Sequence, residues 1–202
     1  MRVIAGSYKG RRLESPTGLD VRPTSDRVRE ALFSILSPQI SRACVLDLYA
    51  GTGAVGLEAL SRGADRVVFV EQKRSSLHLL RENLNRCQNP PGAVVIACDV
   101  RHVFRHAEFL KWAPYDIVFA DPPYGNGEGG EIGRIISLIG SGVPLAVEGM
   151  IILEHRSKFS LFQAIDGFQQ VRQARYGDTT LTFFTPTSGQ ASYAHRHLSR
   201  DL

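Results

Sequence analysis

A chain of 202 residues with 43% hydrophobic composition can bury one substantial core but not two, so a single α/β domain with a small appendage is expected. The net charge of +4 is concentrated at one end, with eight Lys/Arg against four acids in residues 1–43 and sixteen of each beyond them. No run approaches the roughly 18 apolar residues of a membrane span, no apolar leader core follows Met1, and Cys44, Cys87 and Cys98 form no paired ligand motif, which excludes a membrane protein and a disulfide or metal scaffold and predicts a soluble, cytoplasmic monomer.

A basic N-terminal end on a neutral body suits an anionic partner such as a phosphate backbone, although for an excess of only four the charge alone favours ordinary solvated surface. Residues 2–14, punctuated by Gly6 and Gly10, read as a short twisted hairpin or extended arm. After Arg22-Pro23, Thr24 is placed to cap a helix whose buried stripe is Val28, Ala31, Leu32, Ile35 and Leu36, with Arg27, Glu30 and Ser34 on its polar face and Pro38 at its end. Residues 1–43 therefore form an N-terminal extension.

From residue 44 short strands rich in Val, Ile and Phe alternate with amphipathic helices. The strands expected are residues 44–49, 66–71, 93–99, 115–121 and 150–155, and the crossover helices are 56–62, 73–86, 100–112 and 131–139. Leu77, Leu80 and Leu84 form the seam of the second crossover; Val103, Phe104 and Ala107 form that of the third. Residues 168–176 and 179–184 flank Gly177-Asp178, a two-residue hairpin signal. A mostly parallel sheet ending in an antiparallel hairpin is the result, with the domain running over 44–185 and a flexible tail over 186–202. His195 and His197 lie in that tail and read as a solvated pair.

The first strand runs into Asp47-Leu48-Tyr49-Ala50-Gly51-Thr52-Gly53 and on to Gly56, a glycine-rich turn that opens a helix and lets backbone approach a ligand. Gly51, Gly53 and Gly56 also satisfy the dinucleotide fingerprint, so a nicotinamide cofactor must be weighed. Acids decide against it. Asp47 precedes the glycines, where it would meet an ammonium group and repel a pyrophosphate. Glu71, with Gln72 beside it, ends the second strand, where an acid accepts from ribose hydroxyls, and Asp99, with Val100 beside it, ends the third. This series points to S-adenosylmethionine at the carboxyl ends of the strands.

The fourth strand leads to Asp121-Pro122-Pro123-Tyr124. An exocyclic amine on a base is a poor nucleophile because its lone pair is delocalised into the ring. Asp121 and the Pro122 carbonyl can accept its two N–H bonds, which pulls the nitrogen toward tetrahedral geometry. Two prolines fix φ and hold that carbonyl in place, and Tyr124 offers a face on which an extruded base can stack. The reaction is then direct methyl transfer without a covalent intermediate, since no cysteine is placed to attack a ring. The motif alone leaves guanine, DNA adenine-N6 and protein glutamine amides open, although the glutamine class favours Asn in the first position.

The chain resembles the RsmD family of small-subunit ribosomal RNA guanine-N2 methyltransferases over residues 2 to about 185. The resemblance rests on Arg2-Val3-Ile4-Ala5-Gly6, Lys9-Gly10-Arg11-Arg12-Leu13, the block from Arg22-Pro23-Thr24 through Arg27, Arg29 and Glu30 to Phe33, the Asp47 to Gly53 turn, Glu71, and Asp121 to Tyr124. It implies a class I, Rossmann-like methyltransferase fold with a seven-stranded sheet, transfer to the N2 amine of one guanine of 16S ribosomal RNA, and the small ribosomal subunit as partner. Arg2, Lys9, Arg11, Arg12, Arg22, Thr24, Arg27 and Arg29 would then contact RNA or close over the base. The tail from Pro186 departs from the family pattern.

Overall fold

A computed structural model describes residues 1–16, 24–123, 135–140, 142–159, 164–165 and 167–187. The chain divides into two compact units, Met1–Trp112 and Ala113–Leu202. The boundary expected at residue 43 lies inside the first of them, so the N-terminal extension and the first three strands belong to one unit.

In the first unit β1 (Cys44–Leu48), β2 (Arg66–Glu71) and β3 (Ala93–Ala97) pair in parallel in the order β3-β2-β1. Leu48 lies opposite Val70 and Glu71 opposite Ala97, so these strands end together and the loops after them share one edge of the sheet. Helix α2 (Ala54–Ser61) is buried at all eight positions, as a helix laid against a parallel sheet should be. Its closeness to β2 depends on Gly56, where an added Cβ would lie 2.2 Å from the Phe69 ring. Helix α3 (Arg74–Arg86) buries Leu77, Leu80 and Leu84 as expected, and also Asn83.

Two expectations in this unit are corrected. The helix cap is Ser25, not Thr24: α1 spans Asp26–Leu36 and the Ser25 hydroxyl accepts from Val28 N at 3.3 Å, while Thr24 is buried. The third crossover is not one helix. A 3-10 turn at Val100–Arg105 meets α4 (Ala107–Lys111) at His106, which is extended. Val103 and Phe109 are both fully buried, yet in one continuous helix they would lie about 120° apart around the axis. The extended residue brings both inward and leaves Ala107 exposed; Phe109 meets Phe104 edge to face at 5.5 Å.

The N-terminal arm is part of this unit's packing. Arg2 bridges Arg12, and Val3 and Leu13 are buried. Ile4 and Ala5 donate their amides to the buried Glu58 carboxylate at 2.7 and 3.0 Å, and Tyr8 donates to the Ser61 hydroxyl. Gly6 has φ +83 and sits so close to Ser61 that an added Cβ would lie 1.7 Å from its carbonyl oxygen; only glycine fits there.

In the second unit β4 (Tyr115–Ala120) pairs in parallel with β5 (Leu145–Arg156), and β5, β8 (Thr179–Pro186), β7 (Phe168–Tyr176) and the two-residue β6 (Ala164–Ile165) continue antiparallel. The hairpin around Gly177-Asp178 is thus as expected, Gly177 taking φ +63. Strand β5 begins five residues before the expected start. Tyr115 pairs with Leu145 but Ile117 with Met150, so β5 bulges, and Gly149 fills the bulge where a Cβ would lie 2.5 Å from Leu145. Residues 135–140 are helical; the rest of the fourth crossover and the tail beyond residue 187 lie outside the described residues.

Candidate cofactor and acceptor sites

The turn after β1 is shaped by three left-handed residues, Tyr49 (φ 61), Gly51 (φ 57) and Gly53 (φ 76). Glycine adopts this region freely, but Tyr49 is strained there, and such strain concentrates where a ligand is held. Ala50 N donates to Val70 O at 3.0 Å and Gly53 N to Ala50 O at 2.7 Å, which folds the turn over the end of β2. Gly53 then starts α2 without a side-chain cap.

Asp47 closes this turn from below. Its carboxylate is 1% exposed and accepts from Gly56 N, in the first turn of α2, at 3.0 Å. Burial first, and the nearby Glu71 charge with it, push its pKa up to about 7 against the pull of that hydrogen bond. A cationic ligand would relieve both effects; a pyrophosphate would aggravate them. Glu71, also buried, accepts from Gly51 N at 2.9 Å through one oxygen, and from Gln72 N and Lys73 N at 2.8 and 2.7 Å through the other. It ties the glycine turn to the end of β2 while Gln72 itself is exposed.

Asp99 lies two residues past the end of β3, where its side chain caps the 3-10 turn through Arg101 N at 2.8 Å. The Arg101 guanidinium grips the same carboxylate at 2.5 Å and, foremost among its causes, holds its pKa down at about 2. Asp99 is therefore ionised but already paired. Val100 beside it is buried. Thr52 is buried too, and its carbonyl accepts from Asn83 Nδ2 at 2.9 Å.

In the second unit Asp121-Pro122-Pro123 comes directly after β4: Asp121 is half-buried, Pro122 buried and Pro123 exposed. Tyr124 and Arg22 lie outside the described residues.

The basic extension divides by exposure. Arg2, Lys9, Arg12 and Arg27 are exposed; Arg11 is half-buried, lies 5.8 Å from the Tyr8 ring centre and donates to Arg86 O at 2.5 Å. Arg29 is different: it is fully buried, donates to Arg2 O at 2.6 Å and to Asp26 at 3.0 Å, and burial lowers its pKa. The phosphate contact expected of it does not fit this position, since its guanidinium instead holds the start of the arm against α1. Sequence reasoning missed Glu58, Ser61 and Asn83. Their signal was present as polar residues inside apolar helical stretches, which cost free energy to bury unless they are bonded.

Residues 1–185 match the family described as Conserved hypothetical protein 95. Ribosomal RNA small subunit methyltransferase D of Escherichia coli is 40% identical over 157 residues, covering 76% of this chain and 74% of that protein. The chain belongs to the RsmD family. A putative rRNA methyltransferase, YlbH of Bacillus subtilis, is 32% identical over 91% of this chain and 98% of its own. The solved structure of yhhF from Escherichia coli superposes with a TM-score of 0.78 at 34% identity, over 92% of this chain and 97% of that one. The fold is accordingly the Rossmann-like methyltransferase fold, mostly parallel with a C-terminal antiparallel hairpin, and the family match extends over the arm as well as the strands.

Proposed function

We propose that this chain is an S-adenosylmethionine-dependent methyltransferase acting on the exocyclic N2 amine of a guanine in small-subunit ribosomal RNA. The observation that carries the cofactor reading is Asp47, a carboxylate 1% exposed beneath a glycine turn with its pKa pushed up to about 7. Such a group favours a ligand bearing an ammonium over one bearing phosphates. Ribosomal RNA is supported by the relatives, among them one named for the small subunit.

The cofactor, when bound, supplies an electrophilic methyl on a sulfonium sulfur. Asp47, once ionised, pairs with its ammonium, and Glu71 accepts from its ribose hydroxyls. At the acceptor, Asp121 and the Pro122 carbonyl take the N–H bonds of the amine, and Tyr124 stacks on the extruded base. Held there, the amine nitrogen would be placed to take up the methyl that the bound cofactor would supply, and Asp121 or solvent would take the proton that the amine gives up. Arg2, Lys9, Arg12 and Arg27, exposed on the arm and α1, hold RNA phosphates with Arg11 and Arg22.

The test offers labelled cofactor with small ribosomal subunits, naked ribosomal RNA, DNA and total protein in parallel. Label in small-subunit RNA is expected. Label confined to DNA or to protein would overturn the proposal in favour of an adenine-N6 or a glutamine methyltransferase.

A further inference from the structure

Asn83 interrupts the apolar seam of α3 between Leu80 and Leu84 and is fully buried. An apolar residue would complete the seam, and a buried amide is tolerated only when its groups are bonded. Here they are bonded to two different segments. One side-chain N–H points to Thr52 O in the glycine turn at 2.9 Å and the other to Glu14 O in the arm at 3.1 Å, while Oδ1 accepts from Glu14 N at 2.6 Å. This pattern fixes the orientation of the amide, because a flipped side chain would set oxygen against two carbonyls and NH2 against an N–H. Asp has no donor and Ser only one, so neither can replace it. The arm is anchored at its other end on Glu58 and Ser61, in the second half of the helix that the glycine turn opens.

We propose that Asn83 is a positioning residue that couples the cofactor turn to the RNA-contacting arm, so that occupancy of either is felt at the other. This rests on the reading of the Asp47 to Gly53 turn as the cofactor site. A cofactor that orders the Thr52 carbonyl fixes Asn83, and Asn83 fixes Glu14 through both of its backbone groups. By reciprocity, RNA that holds the arm tightens the cofactor turn by the same factor.

The experiment is backbone hydrogen exchange over residues 11–16 of the full chain, with and without S-adenosylhomocysteine, alongside calorimetric measurement of its binding. In the wild type the ligand should slow exchange there by about fivefold or more. Asn83→Ala, and separately Glu14→Pro, which removes the N–H given to Oδ1 but leaves Asn83 on Thr52, should bind the ligand yet lose that slowing. Arg86→Ala, which removes only the ion pair with the Glu14 side chain, should keep it. Ligand binding without slowing in the wild type, or slowing preserved in Asn83→Ala and Glu14→Pro, would overturn the proposal while leaving the cofactor reading intact. Absence of any binding heat in the wild type would overturn the cofactor reading itself, and the coupling with it.

Discussion

On the proposed reading Asp47 serves the cofactor and Asp121 the acceptor, and each makes a separate prediction. With its pKa near 7 in the free protein, Asp47 is largely protonated below that pH, and pairing with an ammonium requires it to lose the proton. Cofactor affinity should therefore fall as pH drops below about 7, approaching tenfold per pH unit. Asp47→Asn retains an acceptor for Gly56 N and should flatten that profile while weakening binding about tenfold to 100-fold at pH 8; calorimetry at several pH values reads both. An unchanged slope in the variant would assign the titration to another group. Asp121→Ala should lower single-turnover transfer by about 100-fold or more and leave cofactor affinity within a factor of about two; retained turnover would refute amine activation by this carboxylate. The placement of both acids was legible in the sequence, because each stands at the end of a strand beside an unusual turn. Asn83 was not, because a lone polar residue in a helix reads as solvent-facing until the partners that bury it are known. Arg29 misled for the opposite reason: it lies among basic residues, and only packing shows that it points inward.

Among the elements, the arm and α1 are where the proposed RNA contacts would lie. The hairpin character of the arm was readable from its two glycines, but its attachment was not, since Glu58 and Ser61 are more than fifty residues away in the chain. Exposed Lys9 and Arg12 project from an anchored hairpin, so reversing both charges should weaken RNA binding without unfolding it. Lys9→Glu with Arg12→Glu should lower the dependence of log affinity on log salt by about one to two, measured by filter binding across a salt series with circular dichroism to confirm the fold. An unaltered slope would remove the arm from the interface. The break at His106 shows the limit of periodicity: Val103, Phe104 and Ala107 satisfy a helical stripe, but burying Phe109 as well requires the chain to leave the helix for one residue. The Gly149 bulge was similarly hidden, because β5 lengthens only through a register shift against β4.

For the molecule as a whole, the change from parallel to antiparallel pairing was readable from strand–helix alternation and one Gly-Asp turn, which are local signals; the order of the strands was not. Nor was the division into two units, because it depends on contact density over the entire chain. A ligand that binds only the folded state should stabilise it by about 2.7 kcal/mol at one hundred times its Kd, which for a chain of this size raises Tm by roughly 5–10 °C. S-adenosylhomocysteine should produce that rise, whereas NAD should produce none; a shift with NAD alone would restore the nicotinamide reading of the glycine turn. Whether the transferred methyl ends on the N2 amine of guanine in ribosomal RNA is decided by one measurement, in which RNA from labelled small subunits is digested to nucleosides and the methylated one is identified by mass spectrometry. N2-methylguanosine is the predicted product; N6-methyladenosine, or a methylated ring carbon in its place, would refute the assignment.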